Sequence, residues 1–322
     1  MDHLIPHYPS IRTTTAFSRM GHVRGDKGWV NEQRQSPDAV FMVFVDTEPV
    51  LSRKQNQGEQ EKFPVSIKWF QADELETLGL ESHEAFYLGN DNEDLPRFAF
   101  SLYGWFVGKS DLRRSAFEYT ANLRSLAIDG EMSPEDLSTI GQAKALVHWN
   151  ETHKCCGKCG AKTKPRDGGW RRQCWSCQQN YFPRSDPAVI MLVTDGSRFI
   201  LGKEERFQNR FMSIIAGFVE PGESIENAVR RETMEETGIE VGDVQYVASQ
   251  PWPFPHNIMI GCRGDALTTE FQLHDSELME ARWVDREEAK LMLANKHPEE
   301  IRVPPPISIA HMLISQFVDG LL

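Results

Sequence analysis

The alternation of apolar and polar positions along this 322-residue chain changes character twice. Up to about residue 110 the pattern is weak. Residues 41–45 (FMVFV) and 99–106 (AFSLYGWF) read as strands, with the polar stretch 55–62 as a loop or hairpin end between them. Two helices are expected next, the first over about 110–128. The second starts at Ser133-Pro134-Glu135-Asp136, which supplies an N-cap, a proline for the first helical position and acidic residues for the first turn. It turns Leu137, Ile140, Ala143, Ala145, Leu146 and Trp149 inward and ends near His153.

From Pro187 strand patterns dominate. Residues 188–193 and 198–202 flank a turn at Asp195-Gly196; residues 244–249, 257–263 and 281–284 follow, and a last helix is expected over 308–318. Strands interleaved with two helices predict an α+β unit with a mixed sheet sandwiched between helices. The expected division is 1–153, then a small cysteine-bearing module at 154–184, then 185–322.

Within the last unit, residues 217–239 read GFVEPGESIENAVRRETMEETGI. Helical spacing puts Glu232, Glu235 and Glu236 on one face, where three like charges repel one another. A divalent cation removes that penalty, and carboxylate oxygens are the hard donors that Mg²⁺ or Mn²⁺ takes. A solvated acidic face is the plain alternative. Gly217 and Gly222 permit a tight loop before the helix, and Gly238 falls where a left-handed cap would end it. The segment resembles the Nudix box, Gly-x5-Glu-x7-Arg-Glu-(aliphatic)-x-Glu-Glu-x-Gly-(aliphatic), with Thr233 in an aliphatic position on the core side. The resemblance implies an α/β/α Nudix sandwich that hydrolyses a nucleoside diphosphate linked to another group, with magnesium or manganese on the box glutamates.

Four of the six cysteines form C-x2-C, fourteen residues, C-x2-C: Cys156, Cys159, Cys174 and Cys177. That spacing reads as a tetrahedral, structural Zn²⁺ site without an open position; a redox pair or a nucleic-acid-reading ribbon are the other readings. Cys155 competes with Cys156 but would give a C-x3-C, so Cys156 is preferred. Cys262 lies in an apolar strand pattern and reads as a small core residue.

The segment 249–255, SQPWPFP, places Pro251, Pro253 and Pro255 at alternate positions, which excludes a regular central strand and predicts an extended, rigid loop. Trp252 and Phe254 either offer flat faces to a ligand or plug the core, and Gln250 can offer an amide to a base edge. A four-cysteine ribbon, the box and this loop together resemble the NADH pyrophosphatase family of Nudix hydrolases, most closely over residues 116–316.

That resemblance carries roles with it. It implies Glu232, Glu235, Glu236 and Glu277, with the Ala216 carbonyl, as ligands for two or three Mg²⁺ or Mn²⁺ ions, and one structural Zn²⁺ per chain. Gln250, Pro251, Trp252, Pro253, Phe254, Pro255, His256 and Asn257 would form the substrate loop, with Phe182 and Phe218 near the bases, Ala310 near a dimer interface and Arg124 reaching in from the N-terminal domain. Two positions depart from the family: Asn257 stands where serine is usual, and Gly169 where an acidic residue precedes the ribbon tryptophan. The implied reaction is hydrolysis of NADH or NAD⁺ to AMP and nicotinamide mononucleotide by a homodimer, with NAD-capped RNA as a further substrate. ADP-ribose, diadenosine polyphosphates, or nucleotide sensing by an inactive relative are the alternatives.

Composition adds exclusions. The net charge of −12 argues against a mainly electrostatic nucleic-acid binder such as a DNA-binding protein, though not against a capped RNA end. No apolar run has the length of a membrane span and the N-terminus lacks a secretory pattern, so the expected address is the cytoplasm.

Overall fold

The computed structural model describes residues 17–53, 63–102, 119–205, 210–273 and 278–322. The expected polar loop at 55–62, the first part of the 110–128 helix and Glu277 lie outside the described residues. The chain divides into two units. One takes residues 185–252 and 257–322; the other takes the described residues up to Arg184 together with Pro253–His256.

The N-terminal unit opens with helix α1 (Lys27–Gln35), capped by the Asp26 carboxylate, which accepts the N–H groups of Gly28 and Trp29. Strands β1 (Val40–Val45), β2 (Glu48–Pro49), β3 (Leu51–Arg53), β4 (Val65–Ile67) and β5 (Trp69–Phe70) follow, then helix α2 (Ala72–Thr77) and strands β6 (Phe86–Asn90) and β7 (Pro96–Ser101). β2, β1, β7 and β6 lie side by side, β5 also pairs with β1, and β3–β4 form a separate ribbon. The expected strand at 41–45 is β1. The expected strand at 99–106 begins at Pro96 instead, and its residues 103–106 lie outside the described residues. Helix α3 (Leu123–Asp129) starts later than expected. Asn122 turns its side chain onto the N–H groups of Arg124 and Ser125, and Tyr119 and Thr120 before it are extended against Leu51 and Val50. Helix α4 (Pro134–Thr152) matches its expected start, with the Ser133 hydroxyl accepting the Asp136 N–H.

The ribbon's sheet consists of β8 (Thr163–Arg166), β9 (Arg171–Cys174) and β10 (Asn180–Tyr181), all antiparallel. Arg172, buried on its inner face, donates to Thr163 and to both the side chain and carbonyl of Asn150, fastening the ribbon to α4. Gly169 has φ +99°, and a Cβ there would stand 2.6 Å from the Phe86 ring. A side chain there would be strained in φ and would meet that ring.

The second unit is a sandwich. Its sheet comprises β11 (Asp186–Thr194), β12 (Arg198–Glu204), β13 (Ile215–Phe218), β14 (Val241–Trp252), β15 (Asn257–Ala266) and β16 (Leu278–Asp285), in the order β14-β15-β11-β12-β16 with β13 also on β11. Only β11–β15 is parallel, so the sheet is mixed. The central strand β11 is apolar without alternation because both faces are covered. Val189, Met191 and Val193 pack toward helix α5 (Ile225–Thr237), while Ile190 and Leu192 pack toward helices α6 (Arg286–Leu293) and α7 (Ile309–Val318). Helix α6 was not expected; its signal is Asp285, which accepts the N–H of Glu288 as an N-cap. Among the described residues no helix is long and apolar enough to cross a membrane.

Candidate active site and metal centres

Helix α5 is built to hold acidic groups at fixed places. The Ser224 hydroxyl accepts the Asn227 N–H at its start, and Gly238, at φ +71°, ends it in the left-handed cap that the sequence predicts. Its core face carries Ala228, Val229 and Thr233. Thr233, fully buried, satisfies its hydroxyl on the Val229 carbonyl, so the departure from an aliphatic residue is one of packing.

The strand β13 runs beside this helix, and at Gly217 it meets the Glu232 side chain. A Cβ at Gly217 would lie 1.9 Å from Cδ of Glu232, so the absence of a side chain is what lets the carboxylate seat against the strand next to Ala216. Arg231 organises the rest. Its guanidinium grips both oxygens of Glu223 at 2.9 Å, donates to Glu232 at 2.9 Å and Glu235 at 3.1 Å, and also reaches the Phe218 carbonyl at 2.8 Å. These bonds, first those of Glu223, raise the Arg231 pKa, and the same guanidinium lowers that of Glu223. Glu236 is buried on the next turn, where a carboxylate is tolerable only with compensating charge or hydrogen bonds. Glu232, Glu235 and Glu236 share one helix face beside the glycine notch, but among the described residues only the ribbon cysteines bring three or more donor atoms close enough together for one ion. Glu277, the expected ligand from beyond the box, lies outside the described residues. Phe218 follows the notch and is 55% exposed.

The expected substrate loop divides into three parts. Gln250, Pro251 and Trp252 continue β14, with Pro251 opposite Ile258 and Trp252 opposite Asn257. The expectation of a loop fails here because β14 is an edge strand, where a proline removes no ladder bond that matters. Pro253–His256 form the turn and cluster with the N-terminal unit. There Pro253 lies against Gly141, where a Cβ would stand 3.1 Å from the proline ring, Phe254 packs on the core around α4, and buried His256 faces His148 with ring centroids 6.0 Å apart. His148 is pulled below the usual histidine pKa, first by burial and then by His256 and Lys144. Pro255 follows in the same turn, and Asn257 opens β15 beside Asp186.

Gln250 is buried and its amide is turned inward, donating to the Ile307 carbonyl at 2.7 Å and accepting the Ile309 N–H at 2.8 Å. It thereby anchors the start of α7, whose first turn contains buried Ala310. Arg124 sits exposed in the first turn of α3, and Phe182 is 63% exposed just after β10.

The ribbon cysteines converge. The sulfurs of Cys156, Cys159, Cys174 and Cys177 all lie within 4.8 Å of one another, with Cys156–Cys177 and Cys159–Cys174 each at 3.6 Å. A tetrahedral zinc with bonds of about 2.3 Å needs sulfurs roughly 3.8 Å apart, so the four thiols fit that ion. Cys155 is exposed and outside the group. The Tyr181 hydroxyl, 3.0 Å from Cys156 Sγ, holds that thiol down at about 6 and so favours the thiolate a metal takes. Cys262 is fully buried in the sandwich core, and burial pushes its thiol up to about 11.

Comparison with known proteins finds three matched stretches. Residues 38–149 match the NADH pyrophosphatase-like rudimentary NUDIX domain, 151–182 the NADH pyrophosphatase zinc ribbon domain, and 184–303 the NUDIX domain. The NAD-capped RNA hydrolase NUDT12 of Macaca fascicularis is 32% identical over 334 residues, covering 94% of this chain and 72% of that protein. The NAD-capped RNA hydrolase of Schizosaccharomyces pombe is 30% identical over 94% of this chain and 91% of its own length. Human mitochondrial NAD(P)H pyrophosphatase NUDT13 is 33% identical over 78% of this chain and 68% of its own.

Proposed function

The chain belongs to the NADH pyrophosphatase family of Nudix hydrolases, and on that premise we propose that it hydrolyses the pyrophosphate bond of NADH and NAD⁺ and removes NAD caps from RNA 5′ ends. The observation that carries this reading is the Glu232 carboxylate seated in the Gly217 notch, with Glu235 and Glu236 on the same helix face and Arg231 bonded to Glu232 and Glu235. Relatives named for NAD-capped RNA and NAD(P)H support the substrate class.

A pyrophosphate bridge resists hydrolysis because its anionic oxygens repel a nucleophile. Two or three magnesium or manganese ions on Glu232, Glu235, Glu236, Glu277 and the Ala216 carbonyl would neutralise that charge and acidify the attacking water. A box glutamate takes the proton from that water. Arg231 keeps Glu232 and Glu235 in place, so the carboxylates need not reorganise as charge develops. Phe218 and Phe182 offer exposed faces for the two bases, and the turn at residues 253–256 is held by its packing against Gly141 and His148. The products are AMP and nicotinamide mononucleotide.

The cysteine site takes one structural zinc per chain. The functional division is 1–153, 154–184 and 185–322, and the working form is a cytoplasmic homodimer in which Ala310 and residues 304–310 lie near the interface. Sedimentation at assay concentration tests the dimer, and a fluorescent fusion tests the address. The activity itself is tested by turnover of NADH, NAD⁺, ADP-ribose, diadenosine polyphosphate and NAD-capped RNA on one preparation, with products identified by mass. A preference for ADP-ribose or diadenosine polyphosphate over both NADH and NAD-capped RNA overturns the proposal.

A further inference from the structure

The charge of the chain is unevenly distributed. Residues 154–184 contain Lys154, Lys158, Lys162, Lys164, Arg166, Arg171, Arg172 and Arg184 against Asp167 as the single acid, a formal +7 inside a chain of −12. Four thiolates on one zinc ion take two charges off that and leave the module strongly positive. The rest of the protein is correspondingly more acidic, so a polyanion is steered to this one module.

Strand register sorts the charges by face. Arg166 pairs with Arg171 and Lys164 with Gln173, which in turn pairs with Asn180, so these five side chains share one face of the sheet. Arg171 confirms it by donating to Asn180 Oδ1 at 2.9 Å across the strands. The opposite face carries Thr163, Arg172 and Cys174, all buried. On the outer face the single acid is already matched, because Asp167 holds the Arg171 guanidinium at 2.7 Å and 2.9 Å. Lys158, Lys162, Lys164 and Arg166 are exposed, and among the described residues no carboxylate pairs with them. Exposed aromatics accompany them. Trp175 is 64% exposed and its backbone N–H donates to the Lys162 carbonyl, and Phe182 is 63% exposed beyond β10.

We infer that the exposed surface of the zinc ribbon binds the phosphate backbone of single-stranded RNA, through Lys164 and Arg166 on the outer sheet face and the exposed Lys158 and Lys162, with Trp175 as a stacking platform for a base. Cations interleaved with exposed aromatic faces and amides, without free carboxylates, are what a sequence-tolerant single-strand surface requires. As a handhold for the body of a capped transcript this rests on the proposed activity toward NAD-capped RNA, but the binding itself does not.

The test is anisotropy of a labelled, uncapped 12-nucleotide RNA with the full-length protein across a salt series. The variant K158Q/K162Q/K164Q/R166Q should lose at least tenfold in affinity at low salt, and its log K against log salt should be shallower by up to about 3, at roughly 0.7 per lost single-strand phosphate contact. Its zinc content and NADH turnover should equal those of the wild type, which excludes misfolding. Trp175→Ala should weaken RNA several-fold without changing the slope or affecting heparin, a polyanion without bases. The pair Lys290→Gln/Lys296→Gln, in the other unit of the chain, should change nothing. Unchanged RNA affinity and slope in the fourfold variant overturns the inference, as does heparin binding equal to RNA binding with Trp175→Ala neutral toward both. RNA binding as described in a protein that cleaves NADH but not NAD-capped RNA leaves the surface intact and removes the decapping reading instead.

Discussion

The ribbon and the box are two ways of preparing a chain for a metal. In the ribbon, short knuckle turns bring four sulfurs within 4.8 Å of one another, and each donor depends on its own strand and turn. In the box, one helix supplies the carboxylates, and a guanidinium stands between Glu232 and Glu235 to neutralise their repulsion. Soft donors that titrate off their protons can be crowded by backbone geometry alone. Hard, permanently charged donors need a counter-charge or a cation at all times, and Arg231 supplies it from within the same helix turn. The ribbon is therefore a fold element completed by its ion, and the box is a fold element that stands ready for one.

That contrast can be broken at the box first. Glu236→Gln preserves size and helix propensity but removes a charged ligand, so kcat should fall about 10⁴-fold, near 5.5 kcal/mol. The thermal midpoint should hardly move, since the helix keeps its caps and its core face. Turnover of NADH at saturating magnesium decides it, and wild-type rates would remove Glu236 from the site. Cys174→Ser should show the reverse profile, with zinc lost and stability reduced by about 4 kcal/mol, because metal binding there is folding free energy. Metal analysis alongside a denaturant titration reads both, and a stable, zinc-free variant would refute a structural ion.

A third change separates position from charge. Gly217→Ala removes no carboxylate from the chain but puts a Cβ 1.9 Å from the present position of Glu232 Cδ. The Glu232 side chain must swing out and its bond to Arg231 must break, so kcat/KM should fall roughly 10²-fold, about 2.7 kcal/mol. If the notch matters only for packing, activity should survive while stability drops.

Much of this was legible because the box and the ribbon are local patterns, in which residue type and spacing dictate the geometry directly. The cap at Gly238, the core-facing Thr233 and the N-cap at Ser133 are of this kind. What the sequence concealed depends on tertiary partners. Gln250 looked free to greet a base, but its amide is occupied by the backbone at Ile307 and Ile309, a partnership formed across more than fifty residues. The expected helix takes in Tyr119 and Thr120, which instead lie extended against Leu51 and Val50, partners far away in the sequence. At Gly169 the φ of +99° and the Phe86 ring beside it disfavour any side chain, a constraint set by a partner far away in the sequence. Helix α6 was missed although its Asp285 cap and Glu288 were visible, since the preceding strand pattern ran straight into it.

The smallest effect expected calibrates the others, because acid releases metal from both regions and some part of acid unfolding must belong to neither. Asp195, in the turn between β11 and β12, is remote from either donor set in the sequence. Burial alone would raise its pKa, but Ser197 and Arg198 donate to its carboxylate through backbone and side chain and hold it at about 2. A carboxyl depressed in the folded state stabilises at every pH above its unfolded value near 4, and that contribution drains away as pH falls toward 2. Asp195→Asn should therefore cost about 1 kcal/mol at neutral pH, the usual net worth of such bonds. Its deficit should shrink between pH 4 and pH 2. Paired denaturant titrations of wild type and variant at pH 7 and pH 3 measure the gap at each pH, and the loss of metal cancels between them. A gap as wide at pH 3 as at pH 7 would show that the turn is held by shape and not by the charge on Asp195.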